Sequence, residues 1–278
     1  MKLFACMCNQ PQRLSAALAP VRATLIATAS STAPISRWGL GYIQGGDVLL
    51  VRTPKASNVA VDLAGPLSDV ATDCAIAQAV RERGGFSGTD NTPPFRFRRW
   101  LYGQTSIDSV LTASPPVEID DFSRRLLEHI PEYLRRNIRG RTPAELVFHV
   151  FLSMLHDEGN LDDPNLPTAA TRRALAATLR LVSSELERIG RPDSVLGTVA
   201  MTNGRSMVVA HLDEPLRLRR LTVATERGET ERGAESFRGV LLVSGGDGDP
   251  REGFEDIPAR HSVLISRDLQ VTFADLAP

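Results

Sequence analysis

The chain has 278 residues, 42% hydrophobic and 23% charged, enough to bury a sizeable core and outside the disordered and fibrous classes. A formal net charge of −1 and a pI near 6.5 give no global attraction to nucleic acid or to an anionic membrane surface, so neither is expected as a partner. Three cysteines, Cys6, Cys8 and Cys74, are too few and too irregularly spaced for a disulfide framework and suit a reducing cytoplasm; no run of about 18 apolar residues predicts a membrane span.

Residues 2–8, KLFACMC, form a short apolar run ended by Asn9 and Pro11, which predicts a buried strand. Leu3-Phe4-Ala5-Cys6 has the outline of a lipoprotein cleavage box, but almost nothing apolar precedes it, so no signal-peptide core is predicted. From Gln12 to about Ala29 a helix is predicted, bent or split at Pro20. Gly45-Gly46 divides RWGLGYIQGGDVLLVRTP into two strand-like runs, and two glycines tolerate the positive φ of a tight hairpin turn. Residues 71–80 and 98–105 predict two more strands.

The middle of the chain changes period. Phe122, Leu126, Ile130 and Leu134 share one helical face, with Pro131 starting a second helix or kinking the first. Thr142-Pro143-Ala144-Glu145 has the spacing of a capping box, with proline at the first helical position. Leu175, Leu179, Val182, Leu186 and Ile189 form the stripe of a helix over 168–189, stopped by Gly190 and Pro192. Strands then return: Asn203-Gly204 predicts a hairpin, and the stretches SFRGVLLVSGG and RHSVLISRDLQVTF supply the last strands, with an exposed charged loop at about 225–235. Strands, then helices, then strands, without repeats or a linker, predict one α+β layered domain over residues 1–278.

Single side chains carry little chemistry by themselves. Cys6-x-Cys8 lacks a second ligand pair, so buried structural thiols are expected and no metal. His149 and His156 stand two helical turns apart, too far for one metal, which makes His149 a core residue and His156 a helix-end residue. His211 and His261 have no recognisable nucleophile partner. The basic clusters RFRRW and RRNIRGR are short and read as a solvated face. Lys2 and Lys55 are the only lysines, so the arginine excess is a bias of composition rather than a site.

Several patterns, in one order along nearly the whole chain, resemble the class II glutamine amidotransferases, particularly the compact single-domain bacterial branch. They are Arg37-Trp38-Gly39 before the first hairpin, Asn91-Thr92-Pro93-Pro94-Phe95, and Trp100 to Ser106. Gly140-Arg141-Thr142-Pro143-Ala144-Glu145, Thr202-Asn203-Gly204-Arg205 and the closing stretch 240–266 continue the series. The resemblance implies a four-layer αββα sandwich of the Ntn-hydrolase type and a catalytic N-terminal cysteine whose free α-amine serves as base.

Position by position, the resemblance preserves scaffold and loses chemistry. It puts the nucleophile position on Met1, with Cys6 and Cys8 inside the strand. The family's histidine falls on Gln78 and its carboxylate-binding arginine on Val80; Arg81, one residue on, points to the other face of a regular strand. The oxyanion asparagine and glycine fall on Thr105 and Ser106. Arg141 and Pro143 stand where acidic residues recognise glutamine, while Trp38, Gly39, Phe95 and Glu145 are kept. The expectation is therefore a pseudoenzyme, a binding, scaffold or regulatory protein without cofactor. Its cleft would be lined by Arg37, Trp38, Gly39, Arg81, Asn91, Thr92, Phe95 and Arg141. An electropositive rim of Arg37, Arg81 and Arg141 favours a protein partner or a small anionic ligand, and a homodimer is compatible. The alternative is a working glutamine amidotransferase or amidohydrolase, trimmed to expose Cys6 or Cys8 with a free α-amine.

Overall fold

The computed structural model describes residues 1–29, 34–56, 59–81, 86–105, 107, 116–159, 161–192, 196–223, 236–245 and 252–276. The expected loop at 225–235 lies outside the described residues. In chain order the elements are β1 (Lys2–Cys8), α1 (Leu14–Leu18), β2 (Ile26–Thr28), β3 (Arg37–Gln44), β4 (Asp47–Thr53), β5 (Ala60–Asp62), β6 (Cys74–Val80), β7 (Phe95–Phe97) and β8 (Trp100–Gln104). The helices α2 (Pro116–Glu128), α3 (Glu132–Arg135), α4 (Pro143–Glu158) and α5 (Thr168–Arg188) follow. The chain returns through β9 (Thr198–Thr202), β10 (Met207–His211), β11 (Leu216–Leu221), β12 (Gly239–Ser244), β13 (Glu255–Ile257), β14 (His261–Ile265) and β15 (Val271–Asp275).

Two sheets carry the architecture, with strand orders β13-β11-β12-β1-β6-β3-β4 and β15-β14-β10-β9-β8-β7. Side chains alternate between the faces of a strand, so β1 sends Leu3, Ala5 and Met7 inward against Leu101, Ala200 and Val209 of the second sheet. Its even residues Phe4, Cys6 and Cys8 turn outward beneath Leu14, Leu18 and Leu25. On the far side of the second sheet, the helices bury Phe122, Phe148, Phe151 and Leu175 against Trp100, Tyr102 and Val208. The result is the expected αββα order of layers.

The outer layer over β1 differs from its prediction. Residues 11–25 form 3-10 turns around the five-residue α1, and Ile26–Thr28 leaves as a strand paired with β5. Pro20 is the second residue of the 3-10 segment Ala19–Leu25, in its first turn, where its missing N–H is harmless.

Helix α4 is buried nearly all round, as a central helix must be. Trp100 meets Phe151 edge to face at 5.7 Å and Tyr102 stacks on Phe148 at 4.9 Å, which fixes α4 to β8. Such pairs contribute about 0.5–1.5 kcal/mol each beyond their area. Thr142 caps α4 as predicted, accepting the Glu145 N–H at 3.2 Å. Glu145 does not complete the reciprocal box: its carboxylate accepts from the Arg139 and Gly140 N–H groups, at 2.9 and 2.7 Å, and anchors the incoming loop. The Asn203-Gly204 turn runs over four residues rather than two, because the Asn203 side-chain oxygen accepts from both Arg205 and Ser206. No helix among the described residues is long and apolar enough to cross a membrane.

Candidate functional site

The space between the sheets is apolar as far as Leu3, Ile76 and Leu242. Beyond these, at the Met1 end, it turns polar. Register follows from pairing: Leu3 stands opposite Gln78 and Ser244, and Gln78 opposite Gly39. Alternation then puts Gln78, Val80, Arg37 and Gly39 on the inner face, the face to which Leu3 and Ile76 point.

Gln78 joins the two sheets. Its amide nitrogen donates to the Gln104 carbonyl at 2.5 Å, and its oxygen accepts the Gln104 N–H at 3.0 Å. The Thr105 N–H donates to the Thr198 carbonyl at 2.9 Å, so Thr105 faces β9 and the Gln104 peptide groups point the other way. On that side β7 ends opposite Tyr102. One side-chain amide therefore stands in for the peptide group of a missing strand.

Thr105 is enclosed in a second network. Its hydroxyl donates to Glu214 at 2.7 Å and accepts the Thr198 N–H at 2.8 Å. The Thr198 hydroxyl lies 2.7 Å from that of Ser244, which in turn donates to Glu214 at 3.4 Å. Gly197, at φ +74°, lies so close that a Cβ there would collide with the Thr105 carbonyl. Ser106 is outside the described residues. Sequence reasoning missed Thr198, Glu214 and Ser244; the separation of 109 positions from Thr105 to Glu214 leaves no local signal.

The expected arginine rim is revised. Arg37 is only 1% exposed, held in place by a 2.9 Å bond to the Phe86 carbonyl rather than standing at a rim. Val80 is also buried, and its carbonyl accepts from the Ser36 N–H and hydroxyl. Arg37 is the cross-strand partner of Val80, so a guanidinium does reach this face, from β3 rather than β6. Arg81 is half-buried with its Nε unpaired, and Arg141 is exposed.

The other candidates are divided between layers. Trp38 faces the outer core, away from Gln78. Gly39 faces inward beneath the 91–95 loop, where any Cβ would strike the Pro93 carbonyl oxygen. Asn91 ties that loop to the start of α4, accepting the Arg141 N–H at 2.7 Å and donating to Ser87 at 2.6 Å. Thr92 is buried and donates to the Gly88 carbonyl, and Phe95 is core.

Cys6 and Cys8 lie in the outer core, on the opposite face of β1 from the inner polar end. Burial pushes the Cys6 thiol well above its usual range and Cys8 up to about 12, against the thiolate that a nucleophile requires. Cys74 is raised by burial too, and its sulfur contacts the Thr202 hydroxyl at 3.2 Å.

No family model and no curated protein matches the sequence. Solved structures do match over essentially the whole chain. A glutamine aminotransferase class-II domain protein from Silicibacter pomeroyi aligns with a TM-score of 0.55 at 14% identity, over 100% of both chains. A predicted glutamine amidotransferase from Pseudomonas aeruginosa aligns at 0.53 and 14% identity, over 98% of this chain and 95% of that one. Glutamine phosphoribosylpyrophosphate amidotransferase from B. subtilis aligns at 0.54 and 10% identity, covering all of this chain but 49% of its own length. The chain therefore has the α+β fold of the class II glutamine amidotransferases, the Ntn-hydrolase type, from end to end.

Proposed function

We propose that the protein is a catalytically inactive relative of the class II glutamine amidotransferases that works by binding, as a scaffold or regulatory subunit. The observation that carries this reading is that the polar groups of Gln78 and Thr105, which lie at matched positions among the described residues, are already engaged with the protein itself. Gln78 has both amide functions on Gln104, and Thr105 has its N–H and hydroxyl on β9 and Glu214. An oxyanion hole needs donors aimed at an incoming oxygen, and losing one costs about a hundredfold to a thousandfold in rate. Val80 offers no fork for an α-carboxylate.

Trimming to Cys6 or Cys8 fits the layers poorly. Either thiol faces the outer core rather than the polar inner end, and trimming would remove much of a strand paired on both sides. The test combines the intact mass of the protein from its own host with an ammonia-release assay on glutamine. A chain beginning at Met1 or Lys2 and no glutamine-dependent ammonia is the expected result. Ammonia release abolished by Cys6→Ala or Cys8→Ala would overturn the proposal and establish the processed enzyme.

A further inference from the structure

A cavity of about 650 Å³ opens at the edge of the sandwich, between the edge strands β4 and β7 and the approach to α4. Its lining includes Arg52, Arg96, Arg98 and Arg139 against two carboxylates, Asp90 and Glu145. By register Arg52 is the partner of Gly39, itself paired with Gln78, so this cavity lies two strands across from the Gln78 bridge. The volume is in the usual range for small-molecule pockets.

Three of the four guanidinium groups are held in place. Arg52 lies over the Phe95 ring at 5.9 Å and donates to the Thr89 and Pro94 carbonyls, with its Nε buried and unpaired. Arg98 lies over Phe97 at 5.2 Å and is paired with Asp162. Arg96 gives one Nη to the Val48 carbonyl at 2.8 Å. The Arg139 guanidinium has no partner among the described residues. Cation–π contact and carbonyl bonds set Arg52, Arg96 and Arg98 beforehand, which lowers the ordering cost of binding.

The acids offset part of this charge: Glu145 accepts from two backbone N–H groups and, with Asp90, lies in the field of Arg52, while Arg98 is neutralised from outside the cavity by Asp162. Arg52, Arg96 and Arg139 then face Asp90 and Glu145, which leaves one guanidinium in excess. Arginine forks match the oxygens of phosphate, and Leu50 with the 43%-exposed Tyr133 offers an apolar wall beside them.

We propose that this edge cavity binds a phosphate monoester, its phosphate between Arg96, Arg139 and Arg52 and its organic part against Leu50 and Tyr133. The site goes beyond the reading given under Proposed function and stands whether or not glutamine is hydrolysed, so either can fail alone. The experiment is titration calorimetry of the full chain with inorganic phosphate and with phenyl phosphate, at ionic strength held constant with sodium chloride. Both probes are expected to saturate, phenyl phosphate more tightly, and Arg139→Gln is expected to weaken each about tenfold without altering the melting temperature. Arg96→Gln should act in the same direction, and acetate should not compete. Absence of saturable heat up to about 10 mM of either probe would overturn the proposal. So would binding indifferent to Arg139→Gln, or heats reproduced by sodium chloride alone.

Discussion

Replacing Gln78 by leucine keeps much of the side-chain volume and removes both hydrogen bonds to the Gln104 backbone. Gln78 is 2% exposed and Gln104 is 2% exposed, so water cannot readily take over the freed groups. An unpaired buried donor or acceptor costs about 1–3 kcal/mol, and here one N–H and one C=O are orphaned together, giving an expected loss of about 2–5 kcal/mol. The assay is urea unfolding of the wild type and Gln78→Leu, with the midpoint lowered and the slope unchanged. Gln78→Glu should also destabilise, because a carboxylate can accept the Gln104 N–H but repels its carbonyl. A loss under about 0.5 kcal/mol for Gln78→Leu, within the range of ordinary surface substitutions, would refute the idea that Gln78 replaces a strand.

Gly39→Ala is expected to cost about 1–3 kcal/mol, since the new methyl meets the Pro93 backbone rather than a flexible side chain; an unchanged unfolding midpoint would show that the 91–95 loop yields freely. Cys6, Cys8 and Cys74 are expected to stay unlabelled by an aromatic disulfide reagent in the native protein and to react after urea unfolding. A thiol that reacts rapidly before unfolding would contradict the burial of all three. His149 is neutral in the fold because burial lowers its pKa below the usual 6.5, so protonation favours the unfolded chain. Stability from this residue is full above about pH 6.5 and declines by at most about 1.4 kcal/mol per pH unit below it. Glu145, raised by burial, acts with the opposite sign but is common to both proteins when wild type is compared with His149→Gln. Acid unfolding curves that stay parallel between those two would remove His149 from the account.

The elements legible in the sequence are those with a long, regular pattern. The apolar runs of β1 and β6, the glycine turn between β3 and β4, the Thr142 cap and the leucine stripe of α5 each carry several concordant signals. The strands β2, β5, β7 and β13 have three residues each, too short for an alternation to register. In β11 the pattern LRLRRL alternates only over Leu216–Arg219 and breaks at Leu221, and no strand is predicted there. The helix expected over 12–29 failed for a different reason: apolar content there serves to cover Phe4 and Cys6, and 3-10 turns do that as well as an α-helix. Arg37 was misplaced because arginine is rarely buried without a partner, and its partner, the Phe86 carbonyl, is 49 residues away.

Fold and chemistry separate along the strands themselves. The sandwich is specified by alternation over β1, β6 and β8, in which many apolar residues contribute and no one of them decides the outcome. The polar end depends on a few groups whose partners lie far apart in sequence: Gln78 with Gln104, Thr105 with Glu214, and Thr198 with Ser244. A catalytic centre must leave donors and lone pairs open to a substrate in a low-dielectric space, which costs stability until the substrate arrives. Satisfying the same groups internally reverses that balance, making the region more stable and less able to receive charge developing on a reacting atom. The bridge at Gln78 and the Thr105–Glu214 contact are both arrangements of the second kind. This is why a loss of stability in Gln78→Leu and an absence of glutamine-dependent ammonia are expected in the same protein, and why stability retained in Gln78→Leu would weaken both readings together.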